Sequence, residues 1–268
     1  MSNKSGTKKH KSVDIFKDYA EYYDLIYQDK DYDSEARFVD ELIRRHFPVR
    51  GKTVVLDLAC GTGRHAFELS KMGYRMEGSD ISADMIYVAR EENKRRGANV
   101  IFYNESFQTA DQIGHTFDVV TSMFSAIDYL TEYDDLVKAF GNICTLLKDD
   151  GVFIFDFWNA NAVLDGFSPI RVKRMARGSR EVLRISETTI DRITQTARIH
   201  FAFTLIENAK IIREFQEDHI VRYFLPREME DLMRANGFTV VYRCPFMDPC
   251  GEIAPLDWNL TYISKKTR

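Results

Sequence analysis

Val54-Val55-Leu56-Asp57-Leu58-Ala59-Cys60-Gly61-Thr62-Gly63-Arg64-His65 decides the fold of this chain. An apolar run rich in β-branched residues ends in an acid, and a turn with two glycines follows. An amphipathic stretch then opens with Ala66-Phe67-Glu68-Leu69. That order spells a buried parallel strand, a tight turn and a helix N-terminus, the arrangement by which an α/β sheet grips a nucleotide-like ligand. Glycine serves there by taking positive φ and by letting a ligand lie against bare backbone. The helix start adds unpaired N–H groups and a partial positive charge.

Two cofactor classes fit such a turn. Gly61-Thr62-Gly63-Arg64-His65-Ala66 matches G-x-G-x-x-G/A, and Asp80 follows about 20 residues on, where a dinucleotide fold keeps its ribose-binding acid. An NAD-dependent oxidoreductase is therefore the alternative reading. Asp57 argues against it. It stands at the strand end, beside where a pyrophosphate would lie, and an unpaired carboxylate there repels phosphate. It suits a ligand that carries an ammonium group.

Outward from this stretch, strands and helices alternate. The pattern predicts strand one to Leu58, helix A to about Met72, strand two to Asp80 and helix B over Ala83 to Arg96 with Ser82 as N-cap. Strands three, four and five follow at Val100–Tyr103, Phe117–Ser122 and Val152–Phe157. Between the last two, Leu136, Phe140, Ile143 and Leu147 form a helical stripe. This is a parallel sheet with right-handed crossovers, with the ligand outside the carboxyl ends of its strands. After Trp158 the period changes to two: Ile199, Phe201, Phe203 and Leu205 alternate with Arg198, His200, Ala202 and Thr204. Val182–Ile190 and Ile211–Phe224 read alike, which predicts an antiparallel lobe inserted over residues 165–225. A helix from Pro226 to Gly237 and closing strands at Phe238–Cys244 and Leu256–Ser264 complete the chain. The cofactor domain thus comprises residues 14–164 and 226–268. Residues 14–48 form a helical cap rich in tyrosine, and residues 1–13 a polar, basic, disordered tail without the apolar core of a signal peptide.

Composition narrows the function. A net charge of −4 argues against a nucleic-acid partner. No apolar run approaches the roughly 20 residues of a membrane span. The four cysteines form no C-x-x-C pair; Cys244 and Cys250 flank a proline turn and could pair, but they make no framework. A reduced, cytoplasmic protein is expected. No cluster of His, Cys and acids has metal spacing, so no metal is expected.

The pattern D-x-A-x-G-x-G also resembles motif I of the class I S-adenosylmethionine (SAM) methyltransferases, whose cofactor has no phosphate. Much of the chain resembles the family members that dimethylate nucleotide-linked amino deoxysugars and, more loosely, the glycine N-methyltransferases. The resemblance rests on Tyr23-Asp24-Leu25, Lys30-Asp31-Tyr32, Glu35-Ala36, Arg44-Arg45-His46, Asp57 to His65, Ser82-Ala83-Asp84-Met85, Met123-Phe124-Ser125, Ile127, Leu130, Trp158, Glu217, His219 and Arg227-Glu228. It implies a Rossmann-like sheet with helices on both faces and methyl transfer from SAM, leaving S-adenosylhomocysteine. Carried over, Asp57, Ala59, Gly61 and Gly63 surround the methionine part of SAM, and Tyr23 of the cap reaches the same end. Asp80 with Ile81 takes ribose and adenine, with Met85 on the next helix. Glu105 and Ser106 stand where the family has an acid facing the adenine amino group. Met123 and Ser125, with Phe124, lie beside the departing methyl. Tyr32, Glu35, Trp158 and Glu217 fall on the acceptor side.

One departure concerns the acceptor. The sugar enzymes carry a histidine in S-x-I-x-H-L; here Ser125-Ala126-Ile127-Asp128-Tyr129-Leu130 puts Tyr129 in its place and adds Asp128. Methyl transfer is an in-line displacement in which positioning supplies roughly 7–11 kcal/mol. An amine must first lose its proton, and a positioned group adds about 10²–10⁴-fold. Tyr129, His219, Glu217, Asp128 and Glu35 are the candidates, with Tyr129 and His219 placed in the catalytic role. With a pKa of about 10, an ordinary tyrosine reads as a hydrogen-bonding orienter rather than a base. Nitrogen acceptors lead oxygen acceptors through the resemblance alone. A macromolecular substrate is disfavoured: enzymes acting on base amines carry D/N-P-P-Y/F after strand four, and Met123-Phe124-Ser125-Ala126 is not that. The expected partner is a small molecule, and the lobe could cover it, form a homodimer interface, or both.

Overall fold

Helix α1 (Tyr32–His46) opens the described part of the molecule; the computed structural model describes Ile26, residues 30–48 and residues 53–267. Asp31 caps α1 by accepting from the Ser34 amide at 3.0 Å. Acids in the first turn and Arg44, Arg45 and His46 in the last complement its dipole. Residues 14–25 and 27–29 of the tyrosine-rich cap, Tyr23 among them, lie outside the described residues. Strand β1 (Val54–Leu58) and helix α2 (Arg64–Lys71) flank the glycine turn. Then come β2 (Arg75–Ser79), α3 (Ala83–Arg96), β3 (Ile101–Tyr103), β4 (Phe117–Ser122), α4 (Tyr133–Leu146) and β5 (Leu147–Trp158). A short helix α5 (Ala160–Gly166) leads into β6 (Ile170–Arg177), β7 (Arg180–Asp191), β8 (Thr196–Glu207) and β9 (Lys210–Arg222). Helix α6 (Pro226–Ala235), β10 (Phe238–Pro245) and β11 (Asn259–Lys266) follow.

The main sheet has seven strands in the order β10-β11-β5-β4-β1-β2-β3. Strands β1 to β5 run parallel, while β11 lies antiparallel to both β5 and β10. Direction of winding reverses between β1 and β4, which puts the switch point at Asp57 and its register neighbour Thr121. Alternation along the strands fills two apolar layers. Leu56, Leu58, Val120, Phe153 and Phe155 meet α4 and α6 on one face. Val55, Val119, Val152 and Ile154 meet α1, α2 and α3 on the other. Asp57, Thr121 and Asp156 fall on that second face by the same period of two, at its carboxyl end.

The second sheet is four antiparallel strands, β6-β7-β8-β9, inserted between β5 and α6. Its inward residues Met175, Val182, Phe203 and Leu205 pack against Ile26 and Met85. Strand β6 escapes prediction because it is an edge strand with inverted signals. Its Ile170 and Val172 are 63% and 64% exposed, while Arg171 and Lys173 alternate with them. Two other boundaries differ from the sequence pattern. Leu147 begins β5 instead of ending α4, and β11 starts at Asn259 rather than near Leu256. Cys244 is buried, Cys250 is exposed, and both are free thiols, so they do not pair. Among the described residues no helix is long and apolar enough to cross a membrane.

Candidate active site

The chain leaves β1 through alternating left-handed residues: Ala59 (φ 60°), Gly61 (φ 55°) and Gly63 (φ 78°). A Cβ at Gly61 would meet no described residue within 4 Å. At Gly63 it would sit 2.7 Å from the Phe102 ring, so close packing of α2 on β3 demands glycine there. The Gly61 amide donates to Asp80 Oδ2 at 2.8 Å, and the Ser82 amide donates to Asp80 Oδ1 at 2.8 Å. Each oxygen keeps a second lone pair. Burial pushes the Asp80 carboxyl up to about 6, against the two amide hydrogen bonds. Asp57, also buried, accepts from Thr121 Oγ1 at 3.0 Å through Oδ1, while its Oδ2 has no hydrogen-bond partner among the described residues. Burial raises this carboxyl too, opposed by His65, Thr121 and Lys30.

The loops after β2, β3 and β4 follow at the same carboxyl end of the sheet. Asn104 donates to the carbonyls of Asp80 and Ile81 at 2.9 and 3.0 Å, tying the loop after β3 to the end of β2. The Ser79 hydroxyl donates to the Glu105 carbonyl at 2.7 Å. Ser106 spends its hydroxyl on a local turn, accepting from the Gln108 amide at 3.2 Å. After β4, Met123 is buried, and Phe124 and Ser125 both take positive φ, at 66° and 56°. Asp156 holds this kink: its carboxylate accepts from the Ser125 amide and hydroxyl at 3.0 Å, and from Asn259 Nδ2 at 2.8 Å. Ser125 therefore shapes the turn with its own hydrogen-bonding groups already engaged.

Helix α1 contributes an ionic cluster. Glu35 Oε2 accepts from His65 Nε2 at 2.6 Å and pairs with Lys30 Nζ at 3.1 Å. Burial alone would raise the Glu35 carboxyl, yet the His65 hydrogen bond and the Lys30 charge hold it below its ordinary range. Tyr32 meets His65 edge-on, with ring centres 5.1 Å apart.

A second set spans the two sheets. Tyr129 ends a 3-10 turn, Ala126–Tyr129, after β4, and His219 and Glu217 share the inward face of β9. Tyr129 Oη lies 2.6 Å from His219 Nδ1, and His219 Nε2 lies 3.3 Å from Glu217 Oε2. An ionised Glu217 only accepts, which assigns the proton to Nε2 and makes Tyr129 the donor to Nδ1. His219 is 2% exposed and Tyr129 39%. The chain therefore runs from a buried carboxylate to a partly exposed hydroxyl. Nearby, Trp158 stacks edge-on against Trp258 at 5.4 Å, and its amide donates to Asp128 Oδ2 at 2.9 Å. Burial drives the Asp128 carboxyl well above the usual range. Met85 stands apart from these groups, in the apolar contact between α3 and the lobe.

Residues 55–151 match the family model described as "Methyltransferase domain". The dTDP-3-amino-3,4,6-trideoxy-alpha-D-glucopyranose N,N-dimethyltransferase of Streptomyces venezuelae is 30% identical over 228 residues, covering 84% of this chain and 92% of that protein. The chain is a class I SAM-dependent methyltransferase. The crystal structure of Streptomyces venezuelae DesVI superposes on this methyltransferase with a TM-score of 0.78 at 26% identity, over 94% of this chain and 99% of that one. A SAM-dependent methyltransferase from Clostridium acetobutylicum shares the fold at a TM-score of 0.80 and 21% identity, over 94% and 98% of the two chains.

The pocket of this methyltransferase fits SAM. Among the described residues, open backbone at Gly61, an acid oxygen on Asp57 without a partner and spare lone pairs on both oxygens of Asp80 match a ligand with an ammonium group and a ribose diol. Sequence reasoning missed Asp156 and Asn259, which shape the turn after β4, and the roles of Lys30 and His65. Asp156 had a readable signal, an acid ending an apolar strand like Asp57. Asn259 had none, since its partner lies over one hundred residues away, on β5.

Proposed function

We propose that the chain moves a methyl group from SAM to the amine nitrogen of a small molecule, an amino sugar carried on a nucleotide. In this reading Tyr129, His219 and Glu217 take up the acceptor's proton. The observation that carries it is the hydrogen-bond chain Tyr129–His219–Glu217, which joins the catalytic sheet to the lobe. The similar Streptomyces venezuelae protein, an N,N-dimethyltransferase by name, supports an amine acceptor.

When bound, SAM supplies an electrophilic methyl on a sulfonium. Asp57 Oδ2 receives its ammonium group, and Ala59, Gly61 and Gly63 give it bare backbone. Asp80 accepts from the ribose hydroxyls, with Ile81, Glu105 and Ser106 on the adenine side. Met123 and Phe124 close the methyl end, held by the Asp156 brace on Ser125. Tyr32 and Trp158 border the acceptor, whereas Glu35 is spent on His65 and Lys30 and positions them. An acceptor ammonium passes its proton to Tyr129 Oη as the phenol proton moves to His219 Nδ1, and Glu217 stabilises the imidazolium. The hydroxyl thus acts as a conduit and not as the final base. The four free thiols support a reducing compartment, the cytoplasm.

His219→Gln tests this. Turnover of an amine acceptor near neutral pH should fall about 10²–10³-fold. It should recover as the pH rises and the amine loses its proton unaided. A loss of the same factor at every pH would make His219 a structural residue.

A further inference from the structure

Asp128, the acid beside Tyr129, is wholly buried. Its Oδ2 accepts from the Trp158 amide at 2.9 Å, and its Oδ1 has no hydrogen-bond partner among the described residues. Burial, with the charge of Asp156 acting in the same direction, pushes the carboxyl well above its usual range, so the acid carries its proton. A buried polar group that bonds to nothing costs stability. An apolar residue would avoid that cost, which points to the one bond the acid does make.

The sheet explains why that bond is needed. Strand β4 pairs with β5 as far as Phe155, and β11 covers the other edge of β5 up to Trp158, opposite Asn259. Beyond Phe155 no strand among the described residues continues on the β4 side, and Asp128 takes the place of one at Trp158. The Trp158 carbonyl accepts from the Phe224 amide at 3.0 Å, so both backbone groups of this residue are engaged. Asn159 then fixes the loop that carries the other tryptophan. Its amide donates to the Trp258 carbonyl at 2.8 Å, and its side chain donates to the carbonyls of Pro255 and Asp257 at 3.0 Å. The two half-buried indoles meet edge-on, with the Arg171 guanidinium 5.7 Å from the Trp258 ring centre. Trp158 shares an apolar cluster with Phe201, whose ring centre lies 5.0 Å from that of His219. Neighbours in the chain thus serve two sides of one place: Tyr129 reaches His219, and Asp128 anchors the indole wall beside it.

We propose that Asp128 is a positioning residue for acceptor recognition, which fixes the Trp158–Trp258 pair, through the Trp158 amide, as the wall against which the acceptor's ring packs. Indoles offer a broad, rigid apolar face, which suits the C–H face of a sugar ring. The kinetic part of the test rests on the amino-sugar reading above; the spectroscopic part does not.

Variants at this position test it. Asp128→Asn keeps the acceptor for the Trp158 amide, Asp128→Leu keeps the branched shape and removes that acceptor, and Asp128→Ala serves should the leucine variant fail to fold. With SAM and a nucleotide-linked amino sugar, Asp128→Leu should raise KM about 10-fold, change kcat by less than about threefold and leave S-adenosylhomocysteine affinity within about twofold. Asp128→Asn should match the wild type in all of these. Trp158 and Trp258 are the only tryptophans of the chain, so Trp258→Phe leaves Trp158 as the sole indole emitter. In that background Asp128→Leu should shift the Trp158 emission to the red and increase its quenching by acrylamide, and Asp128→Asn should do neither. Equal losses for the acceptor and for S-adenosylhomocysteine would make Asp128 a merely structural residue and overturn the proposal. So would an unchanged KM and Trp158 emission in Asp128→Leu, or an asparagine variant as impaired as the leucine one. A wild type that turns over no amino sugar would refute the proposed acceptor instead, and the emission comparison then decides on Asp128 by itself.

Discussion

Acidifying the solution should weaken S-adenosylhomocysteine binding through Asp80. The two ribose hydroxyls donate, so they need an ionised carboxylate; a protonated one offers its own donor and fewer acceptors. Burial places the Asp80 titration at about 6. At about pH 7.5 nearly every molecule is ionised, and at about pH 5 roughly one in ten is, so affinity should fall about tenfold and then about tenfold per further unit. Asp57 is raised by burial as well and acts in the same direction, which makes this a lower bound. The shift also sets a stability trend of opposite use. A carboxyl raised from 3.8 to about 6 contributes most stability below its unfolded value and loses it as pH rises through its folded value, about 3 kcal/mol in all. Between about pH 4 and 6 the ligand-free protein should therefore lose stability from this group, while the stabilisation conferred by ligand grows. Calorimetry across the window reads the first effect and thermal melts with and without ligand the second. Asp80→Ala should bind more weakly at neutral pH and lose this pH step. An affinity that stays flat from about pH 7.5 to 5 in the wild type would refute the reasoning.

Tyr129→Phe should lower kcat about 10²-fold and leave S-adenosylhomocysteine affinity within about twofold; collapse of that affinity in calorimetry would move Tyr129 into the cofactor site. Gly61→Ala, at φ 55° with no described residue within 4 Å of the added methyl, should cost about 1–2 kcal/mol in denaturant unfolding yet abolish most cofactor binding by filling the cradle. Gly63→Ala adds a methyl 2.7 Å from Phe102 to similar strain and should cost about 2–5 kcal/mol. Equal unfolding costs for the two would contradict the close packing assigned to Gly63. Asp128→Asn should leave thermal stability near neutral pH almost unchanged, because burial already favours the uncharged acid; a large loss would mean that Asp128 is ionised.

The sheet was legible because its signals are local. Asp57, the glycine turn, Ser82 and the stripe of α4 each follow from a period or a cap within a few residues. Strand β6 was not legible, since Met175 is the one side chain of it that is buried among the described residues, too few inward positions to impose alternation. Of the site, Tyr129, His219 and Glu217 could be named as candidates, but not as a connected chain: Tyr129 and His219 are separated by 90 residues and meet only when the lobe folds onto the end of β4. The ion pair of Lys30 with Glu35 was hidden differently. Charges near a helix start read as capping residues, as Asp31 indeed is, and burial of the neighbouring lysine depends on packing against Phe124. Ser125 shows the converse, a residue placed correctly in the chain whose hydroxyl turns inward to Asp156.

The most direct test of the proposed activity is a mass-spectrometric assay. The protein is incubated with SAM and either a nucleotide-linked amino sugar or the same sugar bearing hydroxyl in place of the amine. The account predicts one or two methyl groups on the amine and none on the hydroxyl compound, with S-adenosylhomocysteine released in step. Methylation of the hydroxyl compound, or no product from any amine despite tight SAM binding, would contradict it.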